Sequence, residues 1–175
     1  MTASVSVLDN PVWAALTGPH SHLAEWQGQV VRYPGDVAPF FGLAAAPVGA
    51  GWQVVAEFAG HGEVAQIGGP DFAPPRGWGV ELRLPGVQLV GTEARGAVDP
   101  ECVRLGPEDV PEMLDLVART DPGPFRDRTI ALGAYYGFGA AGSWSRGLRW
   151  RSGPAEGGGR CGRWCTPSSA VSRGS

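Results

Sequence analysis

Lysine is absent: all 14 basic residues of this 175-residue chain are arginine. Also absent is any long apolar run. The most apolar stretch, Val37 to Trp52, is broken by Pro39, Pro47 and several glycines, well short of the roughly 18 to 20 apolar residues a membrane-spanning helix needs. The beginning, MTASVSVLDN, has neither the basic segment nor the apolar segment of an export signal. A cytoplasmic protein without a membrane partner is therefore expected. Cysteine is scarce, with Cys102, Cys161 and Cys165 making an odd number, so no disulfide framework is implied. No GxSxG elbow, P-loop or HExxH occurs, which leaves hydrolase and phosphotransferase chemistry without support.

Glycine and proline are plentiful instead, at 28 and 16 residues. Arginine, glycine, alanine and proline in place of lysine point to GC-rich codons. With 43% hydrophobic residues and this length, the chain can bury one domain's core. Its net charge of −3 conceals a division. Residues 1–137 hold 16 acids and 8 arginines, whereas residues 138–175 hold six arginines and the single acid Glu156. Such a tail has the charge to meet phosphates, but nothing else in it specifies a nucleic-acid site, and no nucleic-acid partner is expected.

Along the first hundred residues, short elements alternate with turns. Asn10-Pro11 opens a helix, PVWAAL, with Val12, Trp13 and Leu16 on one face, closed by Gly18-Pro19. Val30, Val31 and Tyr33 predict a strand ended by Pro34-Gly35, and Trp52, Val54, Val55 and Phe58 a helix stopped at Gly60. A weak strand is expected at Glu63 to Ile67, and the two alternating runs of GVELRLPGVQLVG predict a hairpin.

The strongest periodicity lies further on. Cys102 to Leu105 predicts a strand, and Gly106-Pro107 leads into a helix with Val110, Met113, Leu114 and Val117 at i, i+3, i+4 and i+7. Glu108, Asp109 and Glu112 at its start and Arg119 at its end complement the helix dipole. After DPGP a second short helix, Arg126 to Tyr135, is predicted. From Phe138 periodicity stops: nine Gly, seven Ser, six Arg and three Trp accompany only Leu148 and Val171 as larger aliphatics. That composition does not offset chain entropy, so a disordered tail is expected.

Few residue groups suggest chemistry. Gly137 to Gly142 reads GFGAAG, a match to GxGxxG, but no acidic residue follows about 20 positions on, and a glycine-rich chain yields such matches by chance. His20 and His22, with His61 as a third, have a spacing that could reach a metal, yet no carboxylate or cysteine cluster joins them, so surface or capping roles and no metal are expected. Cys161 and Cys165 have no second pair. Trp13, Trp26, Trp52 and Trp78 are expected in the core or at its caps. Phe125 and Tyr136 are the candidate substrate-lining residues, because aromatics flanking a loop can wall a small-molecule pocket.

Two segments, LDNPVWAALTGPHSHLAE with RYPGDVAPF, and VRLGPEDVPEMLDLVARTDPGPFRDRTIALGAYYG, resemble a bacterial branch of the GNAT superfamily of N-acetyltransferases. In that branch a degenerate GNAT-like half precedes the catalytic half. The resemblance implies an α/β fold of the α+β type, with a mixed, mostly antiparallel twisted sheet flanked by helices. It implies a degenerate half at 1–98, the first strand and two helices of an incomplete catalytic half at 99–137, and a tail at 138–175. It also implies acetyl-CoA as co-substrate and an amine of a small molecule or protein as acceptor. The family's pyrophosphate loop, Arg/Gln-x-x-Gly-x-Gly/Ala, does not follow Tyr136, so no cofactor-binding residue and no catalytic residue is assigned, and the chain alone is expected to be inactive. A non-catalytic ligand- or partner-binding module is the alternative.

The codons offer a reason for the missing loop. If one base was lost near Gly137, Phe138 to Arg146 permits Val-Arg-Arg-Gly-Gly-Glu-Leu-Val-Ala in the original frame. Trp164 to Val171 permits Val-His-Pro-Glu-Phe-Arg-Gly, which is similar to the start of the family's acyl-CoA loop.

Overall fold

The computed structural model describes residues 7–45, 50–60, 64–69, 74, 76–81, 83, 85–86, 102–120, 123–138, 148–152 and 160–163, with the backbone alone at 102, 138 and the last two segments. The chain divides into two compact units, Met1–Thr92 and Glu93–Ser175.

In the first unit, strands β1 (Glu25–Gln27), β2 (Val30–Arg32) and β3 (Phe41–Leu43) form an antiparallel sheet in chain order. Helix α1 (Pro11–Leu16) starts at Asn10-Pro11 as the sequence predicts, since proline at the first helical position forgoes a donor the helix does not need. The register row Trp26, Val31, Gly42 marks one sheet face. There Gly42 admits α1: a Cβ at this position would lie 2.9 Å from the Trp13 backbone. The Trp13 ring then meets Trp26 edge-on at 5.5 Å. Asn10, 8% exposed, donates its side-chain N–H to the Leu43 carbonyl at 2.7 Å, which compensates its burial.

The rows on either side, Gln27, Val30, Leu43 and Glu25, Arg32, Phe41, occupy the other face. Helix α2 (Ala50–Ala59) covers it, and Val30, Phe41, Leu43 and Val55 form a core flanked by Trp52, Val54, Phe58 and Trp78. Gly60 ends α2 at φ +58°, the left-handed cap that glycine adopts without Cβ strain. The expected strand at 63–67 amounts to one parallel bridge between Phe40 and Ala65, and Glu63 lies outside the described residues. No strand forms at the described positions of the expected hairpin, 79–81, 83 and 85–86; its other positions lie outside them.

The second unit contains β4 (Cys102–Leu105), a 3-10 turn at Pro107–Asp109, α3 (Val110–Thr120), a 3-10 turn at Thr129–Leu132, then β5 (Ala134–Phe138), β6 (Leu148–Ser152) and β7 (Arg160–Arg163). The four strands are antiparallel in chain order. The second helix expected at Arg126 to Tyr135 is corrected: only Thr129–Leu132 winds, and Ala134 onward is strand. Gly133 separates the two, and Tyr135-Tyr136 has the aromatic character that favours a pleated surface. Two stretches of the tail, β6 and β7, extend the sheet. In β6 the alternation Leu148, Arg149, Trp150, Arg151 is itself a period-two pattern.

The row Leu105, Tyr135, Trp150, Gly162 marks the face toward α3, and the neighbouring row Arg104, Tyr136, Arg149, Arg163 the opposite face. Leu105, Met113 and Tyr135 form the buried core, with Phe125 and Ile130 packed against it.

Candidate functional site

The β4-to-α3 junction is a strand-to-helix turn of the second unit. Its geometry follows from its residues. Gly106 leads in, Pro107 starts the turn, and the Asp109 carboxylate accepts the Gly106 N–H at 2.8 Å while the Asp109 N–H donates to the Gly106 carbonyl at 3.1 Å. This reciprocal bonding holds the first turn. It also uses up a donor that an anion would otherwise find.

Beside this turn lies an open hollow of about 360 Å³, within the range of small-molecule sites. Pro107, Val110 and Pro111 line it from the start of α3, and Asp127, Arg128, Ile130 and Ala131 from the turn before β5. The sequence reading missed it, because its far wall comes from the 3-10 turn that replaces the expected helix. The Pro107-x-x-Val110-Pro111 spacing was the available signal, a helix start with an apolar, donor-poor face.

The two aromatics predicted to line a pocket do not meet in one. Phe125 packs edge-on against Tyr135, ring centroids 5.7 Å apart at 88°, and belongs to the core. Tyr136 stands between Arg104 and Arg149 on the other sheet face. Tyr135 is buried, its hydroxyl donating to the Thr129 carbonyl at 3.3 Å, and desolvation raises its pKa above the ordinary tyrosine value.

In the first unit, His20 Nδ1 and the Tyr33 hydroxyl are 2.7 Å apart, and the Tyr33 pKa is pushed up to about 12 by desolvation. His20 and His22 stack edge to face at 6.5 Å. Among the described residues no three His, Cys, Asp or Glu side chains gather as metal ligands, and His61 and Cys165 lie outside them. Gly137 of the glycine-rich match sits inside β5, opposite Val103 and Leu148, rather than at a strand-to-helix turn; residues 139–142 lie outside the described set. No helix of the described residues is long and apolar enough to cross a membrane.

The fold is similar to a crystal structure from Novosphingobium aromaticivorans described as an acetyltransferase of the GNAT family, with a TM-score of 0.61 and 26% identity over 84% of this chain. The chain spans 65% of the length of that protein. No family model and no curated protein matches the sequence. The likeness supports the GNAT superfamily as the class of this fold, and the antiparallel sheets with flanking helices are the α+β arrangement expected.

Acyl-CoA needs a cluster of backbone donors at a helix start to hold its pyrophosphate. The described strand-to-helix junction does not fit it: Pro107 and Pro111 have no N–H, and Glu108, Asp109 and Glu112 place negative charge there.

Proposed function

We propose that this chain is built on the plan of an N-acetyltransferase that moves an acetyl group from acetyl-CoA to an amine of a small molecule or protein, and that by itself it does not turn over. The likeness to the GNAT-family structure carries the first part. The second is supported by the absence of the family's pyrophosphate loop motif after Tyr136. In this reading 1–98 is the degenerate half, 99–137 opens the catalytic half, and 138–175 is read out of frame.

The coding DNA and one assay test it. The expected result is no release of CoA above background from acetyl-CoA and a panel of amines with the chain as it stands, and release once a single-base change near codon 137 restores the frame. Turnover by the present chain refutes its inactivity. A coding sequence in which no single-base shift opens a long frame refutes the frame reading, and a restored chain that releases no CoA refutes the acetyltransferase. The alternative, a non-catalytic module binding a small ligand or partner, is favoured by the hollow at the start of α3; thermal stabilisation by a ligand with no effect of acetyl-CoA would select it.

A further inference from the structure

We propose that the face of β4–β7 turned away from α3 binds single-stranded nucleic acid, its arginines meeting phosphates and Tyr136 stacking on a base. The proposal concerns the chain as it stands and is independent of acetyl transfer.

Composition alone gives the arginines of the tail no common site, and no nucleic-acid partner is expected from it. Strand register changes that. Tyr136 pairs with Arg104 on one side and Arg149 on the other, and Arg149 pairs with Arg163. Arg151 lies two residues along β6 from Arg149, and Phe138 two along β5 from Tyr136, so both belong to the same face. Arginines from β4, β6 and β7 and two aromatics of β5 thus share one surface. At roughly 4.8 Å per strand, the row from Arg104 to Arg163 spans about 14 Å. None of the four strands contains an acidic residue. The carboxylates Glu108, Asp109, Glu112 and Asp115 belong instead to the 3-10 turn and to α3, the helix whose Met113 packs on the opposite face. On the basic face Arg104 is exposed and Tyr136 partly buried.

Guanidinium groups set the sign of the ligand, because their planar fork matches phosphate oxygens. The aromatic decides its form. A ring set between cations is a stacking surface for an unpaired base, whereas the bases of a duplex are already stacked on one another. An anionic bilayer shares the phosphates but has no base to stack.

The test titrates the full chain into fluorescein-labelled oligo(dT) and oligo(U) of about 12 nucleotides, within the site size of single-strand binders, into an oligo(dT)·oligo(dA) duplex, and into vesicles of phosphatidylserine and phosphatidylcholine. Anisotropy reads the nucleic acids and cosedimentation the vesicles. Saturable binding of the single strands is expected, with a log–log salt slope of about −3 for four phosphate contacts, and weaker binding of the duplex and vesicles. Arg104→Gln should make that slope shallower by about 0.7. Tyr136→Leu should weaken binding roughly five- to hundredfold, and Tyr136→Phe should retain it. Arg119→Gln, the same charge change on α3, should leave binding unchanged. A cooperative melt checks each variant, and the exposed position of Arg104 keeps the test decisive if Tyr136→Leu unfolds. No saturable binding of either oligonucleotide in low salt, a duplex bound as tightly as the single strand, equal losses from Arg104→Gln and Arg119→Gln, or vesicle binding without oligonucleotide binding overturns the proposal.

Discussion

In Met1–Thr92 the sheet β1–β3 has a helix on each face, α1 over the Gly42 row and α2 over the rows of Val30 and Phe41. In Glu93–Ser175 the described residues place one helix, α3, against one face of β4–β7. The strands show the consequence. β3 is buried at all three positions and β2 at its first two, as a doubly covered sheet requires. The face of β4–β7 away from α3 instead has the row Arg104, Tyr136, Arg149, Arg163, with Arg149 directly opposite Arg163. Covering both faces lets very short strands form a sheet.

Truncating one fully buried side chain in each unit is the most forceful way to break this comparison. Leu43 and Met113 are 1% and 0% exposed, and Leu→Ala or Met→Ala in a core costs about 2–5 kcal/mol. Met113→Ala should be the more damaging to its own unit, since it leaves only Leu105 and Tyr135 of the buried cluster, whereas Leu43→Ala leaves Val30, Phe41 and Val55. Hydrogen exchange at β4 and β5 amides against β2 and β3 amides, read alongside urea denaturation, measures both. A Met113→Ala loss below about 1 kcal/mol would mean that α3 is not what holds the second sheet.

Much of this division is visible in the residues. Met113 and Val110 at helical spacing mark α3, and Val12 with Leu16 marks α1, because a stripe of apolar residues at the helical period has one way to be buried. Less visible was Gly42: a glycine in a strand signals close backbone approach, but only the fold shows that Trp13 is what approaches. Ala134 and Tyr135 read as helix in the sequence, since the apolar residues after Arg126 suit either period over so short a span, and the strand is decided by pairing with β4. The hollow was not legible at all. Its two walls are about twenty residues apart in sequence and meet only through tertiary packing.

Alkaline pH gives a subtler comparison. Tyr33 and Tyr135 are the buried phenols of the two units, and burial raises both pKa values, Tyr33 to about 12 from 10.0 and Tyr135 further. Above pH 10 the unfolded chain releases these protons while the folded chain retains them, so stability is full below pH 10 and falls as pH rises. For Tyr33 the fall continues through about pH 12. Tyr33→Phe and Tyr135→Phe should each flatten the decline by a similar amount, while costing about 0.5–1.5 kcal/mol at neutral pH for the lost hydrogen bond. Melting temperatures across pH 7 to 11.5 check the sign; a decline unchanged in both variants would place its origin elsewhere.

The smallest contrast concerns two arginines. Arg32 pairs with Glu25 at 2.8 Å, donates to the Phe58 carbonyl at 2.8 Å and lies 4.3 Å from the centre of the Phe58 ring. It thereby ties β1, β2 and α2 together. Arg119 pairs with Asp115 at 3.0 Å within one turn of α3, with both side chains about 60% exposed. Exposed i,i+4 pairs contribute about 0.3–0.5 kcal/mol, so Arg119→Ala should fall within that amount and fade in high salt. Arg32→Ala should cost about 1–2 kcal/mol, because a partly buried carbonyl loses its donor and an aromatic face its cation, and salt should restore little of the difference. Equal costs for the two substitutions, or equal salt dependence, would show that the link between sheet and helix in the first unit adds nothing beyond a surface ion pair.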